Sequence, residues 1–472
     1  MRRRRIPAGP LQLRAGGFSL LELMVALALG LLLSVGILSL FQGTSRTNKA
    51  QNGLARLQEN GRFAITRMQN DLRMAGGQYC SNMAGGNSMG TVVPVLPGRA
   101  PRVFAPTLQV RDPQPGEGGA GLARLNSVVN GYASEDPASS NYPLSPRFFL
   151  QGYACSVDEA DCAAKLPTDL PAAGLAAGAR LPGSDVMTVR YQTGTGWPLY
   201  QPLPAEAPGV NCMRGGSTPI GKGDALADGD TLQVRVQTGD DDIATLTPGM
   251  MLISDCVDSA IIPVAAVSGS VLTIGTAPGT SSGILPGAFG SMCVPAGTRD
   301  ARLFDFSNDF LTVTYYIGLR ADENPDARPN SPAGRLIPVL IRRENGVDQE
   351  IVRGVDELRF RYGIQDATGA TRFLTADEVD SNAGGTVSCP PPPASMTLEP
   401  GCLWRTVRVI EARLLVNTVD EVFGLEPSGR EYRFDNEDFT TTDTSPLPSG
   451  LLAGSMPRRE FIAYASNRNY NF

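Results

Sequence analysis

The chain has 472 residues, room for one large domain or two to three ordinary ones, and 42% of them are hydrophobic, enough for a core. It contains no histidine, which excludes Ser-His-Asp and Cys-His nucleophile arrangements, His general bases and His-containing metal sites. A formal charge of −6 argues against a phosphate-binding surface spread over the whole protein.

Residues 1–17, MRRRRIPAGPLQLRAGG, hold five arginines and no acid. Phe18 to Phe41 follows, 24 residues with one charge. As a helix this run is about 36 Å long, enough to cross a hydrocarbon core of roughly 30 Å with some tilt. Arginines before it and none within it predict a cytoplasmic N-terminus, with everything after residue 41 on the far side of the membrane. A cleaved secretory signal fits less well, because the apolar run exceeds the usual 7–15 residues and no small-x-small site follows. Glu22 is out of place in a plain anchor, since a carboxylate at a helix centre costs about 2.5–3.5 kcal/mol even on the lenient insertion scale. Cleavage between Gly17 and Phe18 would create a free amine, and between packed subunits the amine of one could meet Glu22 of the next.

Beyond Phe41, Leu54, Leu57, Ala64, Ile65, Met68, Leu72 and Ala75 fall at steps of three and four, the stripe of an amphipathic helix expected to pack on the protein's own globular domain. Gly76-Gly77 marks its stop. Gly30, Gly36, Gly43, Gly53 and Gly61 each weaken the helix by up to about 1 kcal/mol, so bending or local melting is expected.

Residues 77–180 are loop-rich, with PVLPGRAP (94–101) and DPQPGEGGAG (112–121). Short β-type runs then alternate with turns: 185–191, 230–237, 250–256, 271–276, 311–318, 336–344, 358–364 and 407–417. Their alternation predicts antiparallel sheet without βαβ units. Residues 389–402, CPPPPASMTLEPGC, are expected to form an exposed loop.

Eight cysteines (Cys80, Cys155, Cys162, Cys212, Cys256, Cys293, Cys389 and Cys402) all lie beyond the apolar run. An even number on the oxidising side of a membrane reads as disulfides. Proximity favours Cys155–Cys162 and Cys389–Cys402, then Cys256–Cys293, leaving Cys80 with Cys212. Zinc competes poorly without a CxxC pair or histidine. Gly86-Asn87-Ser88-Met89-Gly90 matches the nucleophile-elbow pattern but lacks the flanking strand and a base. Acids at Asp224, Asp228 and Asp230, at Asp240–Asp242, and at Asp435, Glu437 and Asp438 offer oxygen ligands for Ca²⁺, yet none has EF-hand spacing. No catalytic site, metal or cofactor is expected. Nucleic acid is not an expected partner either, unless arginine pairs such as Arg342-Arg343 or Arg458-Arg459 form a local basic patch.

The junction GG-FSLLELMVALALGLLL resembles the class III leader and first helix of type IV prepilins: a basic leader, Gly17 before the cut, Phe18 as first mature residue and Glu22 as the fifth. LQENGRFA (57–64), DLRMAGGQYC (71–80), SDVMTVRY (184–191), RRENG (342–346), GVDELRFRYGI (354–364) and RREFIAYASNRN (458–469) resemble the PilW family of large minor pilins. At the end the likeness departs, with Ser466-Asn467-Arg468-Asn469 in place of the usual aliphatic-Arg-Asn, and residues 192–229 and 365–405 match nothing in it. The resemblance implies an α+β, pilin-like fold: residues 1–17 a cleaved leader, 18–41 a transmembrane helix and later filament core, 42–75 its amphipathic continuation, and 76–472 a β-rich, disulfide-bonded region in the periplasm or outside the cell. It implies processing by a prepilin peptidase, N-methylation at Phe18, and an assembly role for Glu22. Its implied partners are other minor pilins, the major pilin and the inner-membrane assembly platform, and its implied setting is the inner membrane and then the pilus of a Gram-negative bacterium. A type II secretion pseudopilin shares the leader and helix, and an anchored or tip-located adhesin remains a further alternative.

Overall fold

The computed structural model describes residues 19–77, 142–144, 146–155, 166–167, 170–199, 246–254, 259–274, 302–306, 308–322, 335–366, 368–381, 402–419, 431–435 and 456–467. It also describes short strands at 102–103, 108–111, 122–125, 213–215, 218–219, 232–236 and 437–440. One helix, α1, runs without interruption over Leu20–Met74, 55 residues or about 82 Å. Ser19 caps it, its hydroxyl accepting the Leu21 amide at 3.2 Å. Within the apolar half, the hydroxyls of Ser34, Ser39 and Thr44 donate to the Gly30, Gly36 and Leu40 carbonyls at 2.8, 2.8 and 2.9 Å, so these polar groups are satisfied inside the helix.

The helix stops where the glycines stand. Gly76 takes φ 69°, a left-handed conformation that costs glycine little. The Gly77 amide closes on the Met74 carbonyl at 2.8 Å, and the Gln192 amide donates to the Gly77 carbonyl at 2.9 Å, which fastens the helix end to a strand.

That strand belongs to a five-stranded antiparallel sheet of β1 (Leu150–Tyr153), β2 (Val186–Gln192), β3 (Phe310–Ala321), β4 (Leu336–Glu344) and β5 (Val347–Arg353). Its spatial order repeats its chain order. Asn345 (φ 47°) and Gly346 (φ 81°) make the tight β4–β5 turn, the Asn-Gly signature of a two-residue hairpin. Gly354, at φ 84°, carries the chain into the second sheet; a Cβ there would crowd the Asn417 and Val419 side chains at 2.6 and 2.7 Å.

The second sheet holds β6 (Val355–Gln365), β7 (Thr371–Leu374), β8 (Val407–Asn417) and β9 (Arg458–Ser466). Their order is β7-β6-β8-β9, antiparallel throughout. A short helix, α2 (Ala376–Ser381), follows β7. Among the described residues, a third sheet gathers ten strands around Gly249–Ser254 and Ser259–Ser268. It contains a departure from the antiparallel expectation, the parallel pairing of Arg102–Val103 with Ser259–Ser268, and an isolated parallel bridge joins Ala173 to Arg180 elsewhere. The loop-rich stretch 77–180 does carry strands, but short ones.

One large apolar core joins these parts. Leu57, Ala64, Met68 and Leu72 of α1, with Ala75 just after it, pack in one cluster with Met187, Val313 and Leu340 of the first sheet, Leu358, Ile410 and Ala465 of the second, and Leu252 and Phe304 of the third. The fold is therefore α+β, with one long helix half docked on antiparallel sheet and half projecting from it.

Candidate functional site

Burial divides α1 sharply. From Leu20 to Phe41 every side chain is exposed, the large apolar ones between 51 and 76%. This is the one helix among the described residues long and apolar enough to cross a membrane, with a mean hydropathy of 2.6 in its most apolar window. Glu22 lies in its first turn and is exposed. Gly17 and Phe18 lie outside the described residues.

The docked half differs from the expected stripe in two instructive places. Leu54 is 44% exposed, whereas Gly61 and Asp71 are buried. Gly61 is buried because β9 comes close: a Cβ there would overlap the Phe461 ring. Asp71 is buried because it meets three polar partners from the first sheet. Its Oδ1 accepts from the Tyr191 hydroxyl at 2.7 Å and from Arg342 Nη2 at 3.2 Å. Its Oδ2 accepts from the Tyr315 hydroxyl at 2.5 Å and from Arg342 Nε at 2.6 Å. Arg342, 1% exposed, reaches on to the carboxylate of Glu344. Burial pushes the Asp71 carboxyl up, but hydrogen bonds from Arg342, Tyr315 and Tyr191, with the Arg342 charge, outweigh it and hold the group below its ordinary value. The same burial, with the Asp71 charge alongside, pushes both tyrosine hydroxyls up, so they remain protonated donors.

Further buried charges lie within the second sheet and between it and the first. Asp356 accepts from Arg458 Nε at 2.8 Å and from the Asn417 amide at 2.7 Å. Asp185 accepts from Arg359 Nη1 at 3.2 Å and from the backbone amides of Cys155 and Phe360 at 3.2 and 2.9 Å. Glu357 pairs with Arg359 Nη2 at 2.7 Å. For all three carboxyls burial is the largest influence and raises them despite their arginines.

These contacts place the arginine pairs and one of the acid clusters singled out in the sequence. Arg342, Arg343 and Arg458 are buried and ion-paired, whereas Arg459 is exposed with its guanidinium 5.7 Å from the centre of the Phe461 ring. Asp435 gives its carboxylate to Arg361 at 2.8 Å, which makes it an internal ion-pair partner. Glu437 and Asp438 share the hairpin that begins there. No group of three or more Cys, Asp or Glu among the described residues is arranged to hold a metal. The other acid clusters and the 86–90 pattern lie outside those residues.

Cys155 and Cys402 are buried, and neither is a free thiol. Cys80, Cys162, Cys212, Cys256, Cys293 and Cys389 lie outside the described residues, as does the proline-rich loop apart from Cys402.

Asp71, Tyr191, Arg342, Asp185, Asp356, Glu357 and Arg458 all fall inside the scattered PilW-like segments; the sequence marks Arg342 and Arg458 only as halves of possible basic patches and the other five not at all. Residues of the segments 71–80, 184–191, 342–346, 354–364 and 458–469 make these buried charge contacts: Asp71 with Arg342 joins the helix to the first sheet, Asp185 with Arg359 joins the chain entering β2 of the first sheet to the second, and Asp356 with Arg458 lies inside the second. Residues 314–468 match the family model of PilW, type IV pilus-assembly protein W. Over that third of its length the chain is similar to PilW. The matched stretch supplies Tyr315, Arg342, Asp356 and Arg458, while Asp71, Asp185 and Tyr191 come from the chain before it. No curated protein and no solved structure matches significantly. The family is described by assembly of a pilus, and the described residues present an exposed apolar helical arm on a sheet-built head.

Proposed function

We propose that this PilW-like chain is a minor type IV pilin, stored in the membrane by residues 18–41 and then packed by the same residues into a filament. A prepilin peptidase cuts between Gly17 and Phe18, Phe18 is N-methylated, and the chain helps prime assembly beside other minor pilins and the major pilin on the inner-membrane platform. The observation that carries this reading is the exposed apolar arm, Leu20–Phe41, on a chain whose C-terminal third matches a pilus-assembly family. An arm with more than twenty uncovered residues is stable only inside lipid or against other helices.

Glu22 supports the second environment. A lone carboxylate in the first turn is costly in lipid and becomes neutralised when a neighbour's N-terminal amine lies against it. The head, on the same reading, carries the disulfides Cys155–Cys162 and Cys389–Cys402, each closing a short loop; non-reducing peptide mapping tests that pairing. The PilW match favours a pilus over a secretion pseudopilus.

Peptide mass spectrometry of the N-terminus, on membranes and on sheared surface filaments separately, tests the function. A chain beginning at N-methylated Phe18 in both fractions is the expected result. The same end confined to membranes would shift the assignment to a pseudopilus or a basal priming complex. An intact Met1 end in both would overturn processing and leave an anchored protein.

A further inference from the structure

The helix carries a patch of charge just past its apolar arm. Between Leu23 and Gln58 there is no acidic residue, and the basic residues in that interval are Arg46, Lys49 and Arg56. All three side chains are exposed, and none makes an ion pair among the described residues. Three residues apart on a helix, Arg46 and Lys49 share a face. Their Cα atoms stand about 7 and 12 Å beyond Phe41 along the axis. Helical side chains lean back toward the N-terminus, so both cationic ends reach toward the apolar arm rather than away from it.

We propose that Arg46 and Lys49 form a binding site for the phosphate of anionic phospholipids in the leaflet at the C-terminal end of the span. The inference rests on the membrane-stored state proposed above. A bilayer of about 40–45 Å with a core of about 30 Å leaves about 5–8 Å of headgroup on each side, the height these two side chains reach. Arg56 lies too far out for contact. Once the leader is removed, no basic side chain remains on the other flank, so this pair is the mature chain's anchoring charge. Attraction to an anionic surface is worth about fivefold in affinity per basic residue. An acidic head on a neighbouring subunit offers charge complementarity as well, but the height of the pair and the backward lean of its side chains favour lipid.

The test uses the full-length processed chain in mild detergent, with phosphatidylglycerol and phosphatidylcholine added in equal amounts and retained lipid counted by native mass spectrometry. Phosphatidylglycerol is expected to be retained preferentially, and the preference to disappear in the R46Q/K49Q double variant while R62Q, about 31 Å beyond Phe41, keeps it. Equal retention of the two lipids, or an unchanged preference in the double variant, would overturn the site. So would salt-sensitive self-association that the double variant abolishes without change in lipid retention, because it would assign the pair to a protein partner. Carbonate extraction of membranes reads integration independently. A wild-type chain that washes out of the membrane would sink the membrane-stored reading itself, whereas one that stays integrated but shows no preference would sink the lipid site alone.

Discussion

Asp71 stands about 45 Å beyond Phe41 along the helix, well outside the apolar arm, and its carboxylate is what fixes the helix to the first sheet. Replacing it with asparagine keeps the shape and leaves the Arg342 guanidinium buried without its main counter-charge. Breaking a buried pair from one side costs about 3–5 kcal/mol, and because Glu344 still reaches Arg342 the loss should fall near the lower end. Urea unfolding of the head measures it. Asp71→Leu with Arg342→Met should recover most of the loss, since apolar replacement of a whole buried pair is close to neutral. A single Asp71→Asn within experimental error of wild type would show that the clamp contributes specificity without stability.

The pH dependence has a definite sign. Asp71 is held below its ordinary value, so its contribution is complete above the unfolded carboxylate pKa of about 3.9 and is lost as pH falls through the folded value. The gap between wild type and Asp71→Asn should therefore narrow in acid, as unfolding midpoints between about pH 7 and about pH 3 would show. Asp185, Asp356 and Glu357 are shifted upward and act the other way, favouring the fold as they take up protons.

Glu22 calls for a different readout. Glu22→Ala should insert and be processed as wild type does but be depleted from sheared filaments relative to membranes. Undiminished incorporation would sink the pairing role. Glu22 was readable in the sequence because a charge in an apolar run has no ordinary explanation. Asp71 was not, because it sits in a polar stretch where an acid is unremarkable and its partners are 120, 244 and 271 residues away.

At the level of elements, the helix end and the strands 336–344 and 407–417 follow from local chemistry and appear where the pattern places them. The strands that escaped notice are those whose composition hides them. β5, VDQEIVR, is exposed over its first four residues, and its charges belong to a sheet edge, where they discourage pairing with another chain. Ser259–Ser268 carries a proline and a register shift in its pairing. The five helix glycines were expected to weaken α1, and the helix is nevertheless continuous. At Gly61 the reason is visible, because the missing side chain lets β9 approach and burial of Phe461 against the helix offsets the propensity cost.

Gly61→Ala tests that balance. Alanine gains up to about 1 kcal/mol of helix propensity, while overpacking against a ring costs about 1–3 kcal/mol, so a net destabilisation of about 1 kcal/mol is expected in the urea midpoint. Phe461→Leu in the same chain should remove the overlap and leave the double variant more stable than Gly61→Ala alone. If Gly61→Ala is stabilising by itself, the close approach of β9 is not what the glycine serves.

For the whole molecule, α1 belongs to two structures at once. Its second half is core: Leu57, Met68 and Leu72 are buried with the sheets, and at about 1.5–3 kcal/mol each they contribute roughly 5–9 kcal/mol. Typical domain stability is about 5–15 kcal/mol, so the head has little margin without them. Its first half, Leu20–Phe41, is exposed throughout and packs on none of the described residues of the head, so it is expected to add nothing to that core. The boundary between the roles predicts how the chain can be cut. A protein beginning at residue 42 should be a folded, soluble monomer with a sharp urea transition, while one beginning at residue 78 should lose both the apolar stripe and Asp71 and fail to unfold cooperatively. The shorter of these two chains also buries Arg342 with its principal partner gone, so adding Arg342→Met should restore part of its structure if the clamp matters separately from the stripe. Cooperative unfolding of the chain from residue 78 with undiminished stability would mean that the helix is carried by the head rather than built into it.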